Sequence, residues 1–289
     1  MSHSNSTLSR DALHIWQAGV DAVRPERLMP HWLRVEGRTL IVGDERIDLD
    51  SIKRIVVVGG GKAADGMAAA VETILGPELM AEKKLAGWVN APSGTGCQPV
   101  LRRIHLHPAR PPGVNEPTPE GAAGTEEILR LVESLGAADL CLCLISGGGS
   151  ALMPAPVEGI TLTDKLAVTR LLSAAGANIE QLNTVRKQLS RIKGGGLLRA
   201  CRVGRLVSLI ISDVLGDRLD LIASGPTVPD RSTPDEAIEI LDRFDAREAG
   251  ISPTVFEYLR HVGQVDNLSK NTKHIYNPSQ ESGQIDNLF

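Results

Sequence analysis

Residues Leu140 to Met153 read LCLCLISGGGSALM. An apolar run without polar alternation marks a strand buried on both faces, as in parallel sheets covered by helices. The run ends in Ser146, Gly147, Gly148, Gly149 and Ser150. Glycines carry no Cβ, so this loop lets a ligand approach the main chain and leaves backbone N–H groups to face an anion. Open parallel sheets bind ligands beyond the carboxyl ends of their strands, which is where such a loop falls. A tight turn without a ligand competes evenly with this reading for one loop, but the chain repeats the device.

Upstream, the Ile- and Val-rich run Ile52 to Val58 leads into Gly59, Gly60, Gly61 and Lys62, and then into an alanine-rich helix from Ala63 to Leu75. Strand, glycine turn and helix N-terminus together favour negative charge, and Lys62 adds a full positive charge there. The spacing is neither that of a Walker loop nor a good GxGxxG. Downstream, the third buried run, Arg205 to Ile211, is followed by Ser212, Asp213 and Asp217. A carboxylate at the end of a buried strand is placed to hold Mg²⁺ or to take a proton from a hydroxyl. The small-residue loop Ile222 to Thr227, with Ser224 and Gly225, has the same character. Four such loops after apolar runs imply one crevice with positive charge and one or two carboxylates. The alternation of buried runs and helical patterns predicts an α/β fold, a Rossmann-like three-layer sandwich with a mostly parallel sheet and helices on both faces.

The remaining pattern fits that frame. Leu13, Trp16, Val20 and Val23 share one face of a helix starting near Ser9 and ended by Arg24 and Pro25. Leu40 to Val42 and Ile47 to Leu49 read as a short hairpin, and Leu85 to Val89 and Arg102 to Leu106 as strands. The prolines from His107 to Glu120 predict a stiff loop whose His107, Asn115 and Glu116 could face the site. Thr118 should cap a helix with Pro119 at its first position, and Thr161 with Asp164 has capping-box spacing. Arg186 and Lys193 are seven residues apart in a helix read over Asn178 to Ile192, which would put them on one face. Gly194, Gly195 and Gly196 follow. A cationic face ending in glycines suits phosphate or carboxylate, although a solvated basic face is at least as common.

Composition narrows the classes. A formal net charge of -4 argues against a dedicated nucleic-acid binder, which needs a basic surface. No apolar run approaches the roughly 20 residues of a membrane span, and the polar N-terminus lacks a signal core, which predicts a cytoplasmic protein without a membrane partner. The four cysteines, Cys97, Cys141, Cys143 and Cys201, have neither zinc-site nor disulfide spacing, and Cys141 and Cys143 should point to one buried face. The sequon at Asn5 carries no weight without secretion. From Gly263 the chain turns polar, and GQVDNL at Gly263 to Leu268 is nearly repeated as GQIDNL at Gly283 to Leu288, a repeat without a physical account.

The motifs VVVGGGKAADGMA, LISGGGSALM, NTVRKQLSRIKGGGL, SLIISDVLGD and IASGPTVPD, in this order over Leu13 to Leu259, resemble the glycerate 2-kinase family with a MOFRL-type second domain, in older naming also hydroxypyruvate reductases. The resemblance implies transfer of the γ-phosphoryl of ATP to the 2-hydroxyl of D-glycerate with a divalent cation, in a cleft between two domains. It implies that Lys62 is the essential lysine, that Arg186 and Lys193 belong to a basic helix region at the site, and that the loops Ser146 to Ser150, Ser212 to Asp217 and Ser224 to Thr227 line the cleft. Chemical reasoning then gives Lys62, Arg186 and Asp213 catalytic roles. Gly59, Gly60, Gly61, Ser146, Gly147, Gly148, Gly149, Ser150, Lys193, Ser224 and Gly225 would hold ATP, and Asp213 or Asp217 Mg²⁺. A reductase would need a dinucleotide fingerprint, and the glycine spacing after Ile55 is wrong for one. Family members are considerably longer. The expectation is therefore a kinase-like N-terminal α/β domain over residues 1–262 and a poorly ordered, non-homologous tail over 263–289. A homo-oligomer or a separate second-domain partner would complete the cleft, and a domain that binds nucleotide or organic acid without turnover is the alternative.

Overall fold

The structure, a computed structural model, describes residues 2–94, 99–201 and 204–272. Helices α1 (Ser2–Ala22) and α2 (Pro25–Trp32) lead into a small antiparallel sheet of β1 (Leu33–Glu36), β2 (Thr39–Val42) and β3 (Glu45–Asp48). The expected hairpin is thus three-stranded, with α2 and β1 unforeseen. Then follow β4 (Arg54–Gly60), α3 (Ala64–Glu82, interrupted at Gly76), β5 (Ala86–Pro92), β6 (Ile104–Arg110), α4 (Pro119–Glu133), β7 (Asp139–Ser146) and α5 (Gly149–Leu152). The chain continues through α6 (Leu162–Ala174), α7 (Ile179–Gln188), α8 (Gly196–Ala200), β8 (Arg205–Ile211), α9 (Pro234–Arg243) and α10 (Pro253–Thr272).

Strands β4 to β8 form one five-stranded, wholly parallel sheet in the order β6-β5-β4-β7-β8. The chain lays strands outward from β4 to β6, then returns to the other side of β4 for β7 and β8. The order therefore reverses between β4 and β7, and their carboxyl ends open the crevice where such sheets bind ligands. Successive side chains of each strand go to opposite faces. Ile55, Val57, Leu140, Leu142 and Leu144 pack with α3 and the small sheet, whereas Val56, Val58, Cys141, Cys143 and Ile145 pack with α4 and α8. Both faces are covered, as the unbroken apolar runs require. Burial pushes the Cys143 thiol up to about 12, and Cys141 in the same direction. Cys141, Cys143 and Cys201 are free thiols, and Cys97 lies outside the described residues.

A third apolar core lies among α6, α7, α9 and α10, around Leu172, Val185, Leu241 and Phe256. Capping boxes at Thr161 with Asp164, Asn178 with Gln181, and Thr233 with Glu236 fix where three of these helices start. One expectation is corrected. Strand β6 runs through Pro108 to Arg110 instead of stopping at Leu106, because β6 is an edge strand and proline there forfeits only an outward N–H. Helix α10 continues past 262 to Thr272, so the first GQVDNL copy is helical backbone; the second copy lies outside the described residues.

Candidate active site

The turns after β4 and β7 are interlocked. Lys62 N–H donates to Gly147 O at 2.9 Å, Gly61 N–H to Asn90 O at 3.2 Å, and Ala63 N–H to the Ser146 hydroxyl at 3.0 Å. Gly59 and Gly60 are residues of β4 itself. Of Gly59, Gly60 and Gly61, expected to hold ATP, the first two thus lie in the sheet, and the Gly61 amide, like those of Lys62 and Ala63, is taken up within the protein. What this turn presents is the side chain of Lys62, exposed and without an ion-pair partner among the described residues.

Gly148, in the left-handed conformation at φ 81°, is the point where the cations meet. A Cβ built on it would lie 3.2 Å from both Lys62 Cε and Arg110 Nη2, so the two side chains converge over this glycine. Arg110, at the end of β6, is 4% exposed; its Nη1 donates to Asn115 Oδ1 at 2.9 Å, and its Nε has no acceptor. Burial lowers its guanidinium below the ordinary value, and no carboxylate among the described residues offsets this. On the other side of the loop the Asp213 carboxylate lies against Gly147, exposed and without an ion-pair partner among the described residues. Cations and a carboxylate thus flank one glycine loop at the switch point of the sheet.

The same loop ties into the neighbouring ones. Ser150 and Ser224 hydroxyls share a 2.7 Å hydrogen bond, and Ser224 donates to Asn183 Oδ1 at 2.9 Å. Gly194 and Gly195 N–H groups donate to Ser224 O and Gly225 O at 3.0 and 2.7 Å. Ala223 and Ser224 hold positive φ without being glycine, strain that persists only where the surroundings impose it and that concentrates at functional sites. Lys193 is 3% exposed and donates to Ser150 O at 3.0 Å. Arg186 and Lys193 line one recess with Ser150. They do so for another reason than a shared helix face: α7 ends at Gln188, and Lys193 lies in the turn beyond it.

Among the residues expected at the site, Lys62, Ser146 to Ser150, Lys193, Arg186, Ser224, Gly225 and Asp213 are brought around one crevice. Asp217 is on the exposed turn that follows, with positive φ. His107 Nε2–H instead donates to Glu120 O and the ring stacks near Trp88, and Glu116 pairs with Arg170. Arg110 and Lys165 are the residues the sequence reading missed. Lys165 carried a signal, because Lys165, Val168 and Leu172 share the buried stripe of α6.

A family profile described as "Domain of unknown function (DUF4147)" matches residues 11–260. The chain belongs to this family. It is 39% identical over 257 residues to the glycerate kinase of Rattus norvegicus, covering 85% of this chain and 48% of that protein. It is 35% identical over 262 residues to the D-glycerate 2-kinase of Thermotoga maritima, covering 90% and 57%. The crystal structure of a Thermotoga maritima glycerate kinase superposes with a TM-score of 0.69 at 32% identity, covering 88% of this chain and 55% of that one. The resemblance to glycerate kinases carried by the five motifs is thus borne out, as is the α/β sandwich. The chain spans about half the length of the curated relatives it matches.

Proposed function

We propose that this chain is the α/β domain of a glycerate 2-kinase, which transfers the γ-phosphoryl of ATP to the 2-hydroxyl of D-glycerate and yields 2-phosphoglycerate and ADP. The observation that supports it most is the convergence of Lys62 and Arg110 over Gly148 with Asp213 against Gly147. Phosphoryl transfer is largely positioning and charge neutralisation, for which cations, a glycine loop and a carboxylate are the parts needed. The hydroxyl oxygen bonds to the γ-phosphorus while the bond from that phosphorus to the ADP oxygen breaks, and the hydroxyl proton leaves to a carboxylate, a role assigned to Asp213. Lys62 and Arg110 hold the negative charge of the transferring group or of the substrate carboxylate. The N–H groups of Gly148, Gly149 and Ser150 face ATP phosphates, with Lys193, Ser224 and Gly225 buried beneath them.

Asp213 fits Mg²⁺, with Asp217 the second candidate, since that ion takes one or two carboxylates together with substrate phosphates and retains waters. Among the described residues no group of three or more His, Cys, Asp or Glu could cage a metal unaided. Bound there, the ion would neutralise phosphate charge. No helix among the described residues is long and apolar enough to cross a membrane. The free buried thiols of Cys141 and Cys143 suit a reducing compartment and support a cytoplasmic location.

The test is glycerate-dependent ADP release with ATP and Mg²⁺. Lys62→Ala should lower kcat/KM by about 10²-fold or more, the scale of losing one charge-stabilising group. Unchanged turnover would sink the assignment. The half-length match to the relatives supports a second reading, a domain that binds nucleotide or organic acid but needs a further domain for turnover. Nucleotide binding without ADP release from folded protein selects that reading.

A further inference from the structure

Three cations are gathered in the recess between α6, α7 and the Ser150 loop without a carboxylate among them. Lys165 is 6% exposed and donates to Leu189 O at 2.6 Å; Lys193 donates to Ser150 O and, at 3.5 Å, to Ala223 O. Arg186 has one long bond, 3.5 Å to Asn183 Oδ1. None of the three forms an ion pair among the described residues, although buried charge is costly unless paired and hydrogen-bonded. Each retains unused N–H donors. Beside them the Asn183 side-chain amide, 2% exposed, has a buried N–H₂ without an acceptor among the described residues. Pro117 and Pro154 close the recess with apolar surface. The place has donors and positive charge in excess and lacks an acceptor with negative charge.

We infer that Lys165, Arg186, Lys193 and Ser150 form an oxyanion subsite, taking the carboxylate of a small hydroxy acid or a phosphoryl group. Its free volume of about 10 Å³ holds roughly one water-sized oxygen, so an anion enters by one oxygen and leaves its remainder towards the Ser146 to Ser150 loop. The subsite rests on the proposed transfer site, whose Ser150, Arg186 and Lys193 it shares, and deepens it by adding Lys165 and naming the group bound there; binding without nucleotide fails or holds separately from ADP release.

Isothermal titration calorimetry without nucleotide tests it, with inorganic phosphate in one arm and D-glycerate in the other. Wild-type protein should bind at least one of them, and which arm responds separates phosphoryl from carboxylate. Lys165→Met keeps chain length and removes the charge. It should weaken that binding by about tenfold or more, near 1.4 kcal/mol, while the melting temperature holds or rises. Arg186→Gln should weaken the same arm, which keeps the test alive should Lys165→Met fail to fold. No binding by the wild type, or affinities in both variants within twofold of it, overturns the subsite. A lowered melting temperature with unchanged affinity would make Lys165 a mere cap on the Leu189 carbonyl.

Discussion

Lys165 shows how far a single side chain can be pushed by its surroundings. Burial, and after it the charge of Arg186, lowers its ammonium from the ordinary value to about 7. Lys193 moves in the same direction, by burial first and then by Arg186 and Lys165. In the unfolded chain a lysine titrates near 10.4, so between about 7 and 10.4 the unfolded state binds more protons than the native one. Stability therefore rises with pH across that window. Below it both states carry the proton and the penalty of a buried cation is fully present. The unfolding free energy of Lys165→Met should exceed that of the wild type most at about pH 7, with the difference shrinking towards pH 10. Urea unfolding of the two proteins at a series of pH values measures this, and a difference independent of pH would contradict it. An anion in the recess acts the other way, holding the proton on Lys165 and raising its titration.

At the scale of elements, the crevice depends on how closely the turns after β4 and β7 approach. A Cβ on Gly61 would lie 2.8 Å from both the backbone N and O of Ser146, atoms that cannot step aside without parting the two strands. At Gly148 the nearest atoms are the mobile ends of Lys62 and Arg110, and the obstacle is the positive φ. Gly61→Ala should accordingly cost about 1–3 kcal/mol through overpacking. Gly148→Ala should cost about 1–2 kcal/mol through its left-handed backbone. Gly148→Ala should also displace both cations, so its loss of phosphate or nucleotide affinity should be the larger of the two; denaturant titration alongside binding checks the ranking. These strands were legible because a strand covered on both faces must be an unbroken apolar run. Strand β6 was misread at its end because an edge strand tolerates Pro108, which in a central strand would break the ladder. Arg110 was missed for the same reason, lying in a proline-flanked stretch without periodicity, and the pairing of the Gly61, Lys62 and Ala63 amides was not legible because their partners Asn90, Gly147 and Ser146 are distant in sequence.

Across the whole molecule, local pattern identified which segments are strands of the parallel sheet but not their order, because β6-β5-β4-β7-β8 is set by pairings between residues far apart in the chain. The separate core of α6, α7, α9 and α10 escaped notice for the same reason, and α1 shows the converse. Its Leu13 and Trp16 keep the helical spacing that suggests a buried face, yet they are 58% and 61% exposed. Periodicity reports that a helix is amphipathic, whereas burial requires a surface to receive it. Stability should therefore reside in the sheet and its two layers, not in this helix. Trp16→Ala should change the unfolding free energy by less than about 0.5 kcal/mol, as surface substitutions do. Leu144→Ala, in the centre of β7 where the side chain is fully enclosed, should cost about 2–5 kcal/mol. Urea midpoints at constant m-value measure both. A Trp16→Ala loss that approaches the Leu144→Ala loss and grows with protein concentration would mean that a second copy covers the apolar face of α1 in solution.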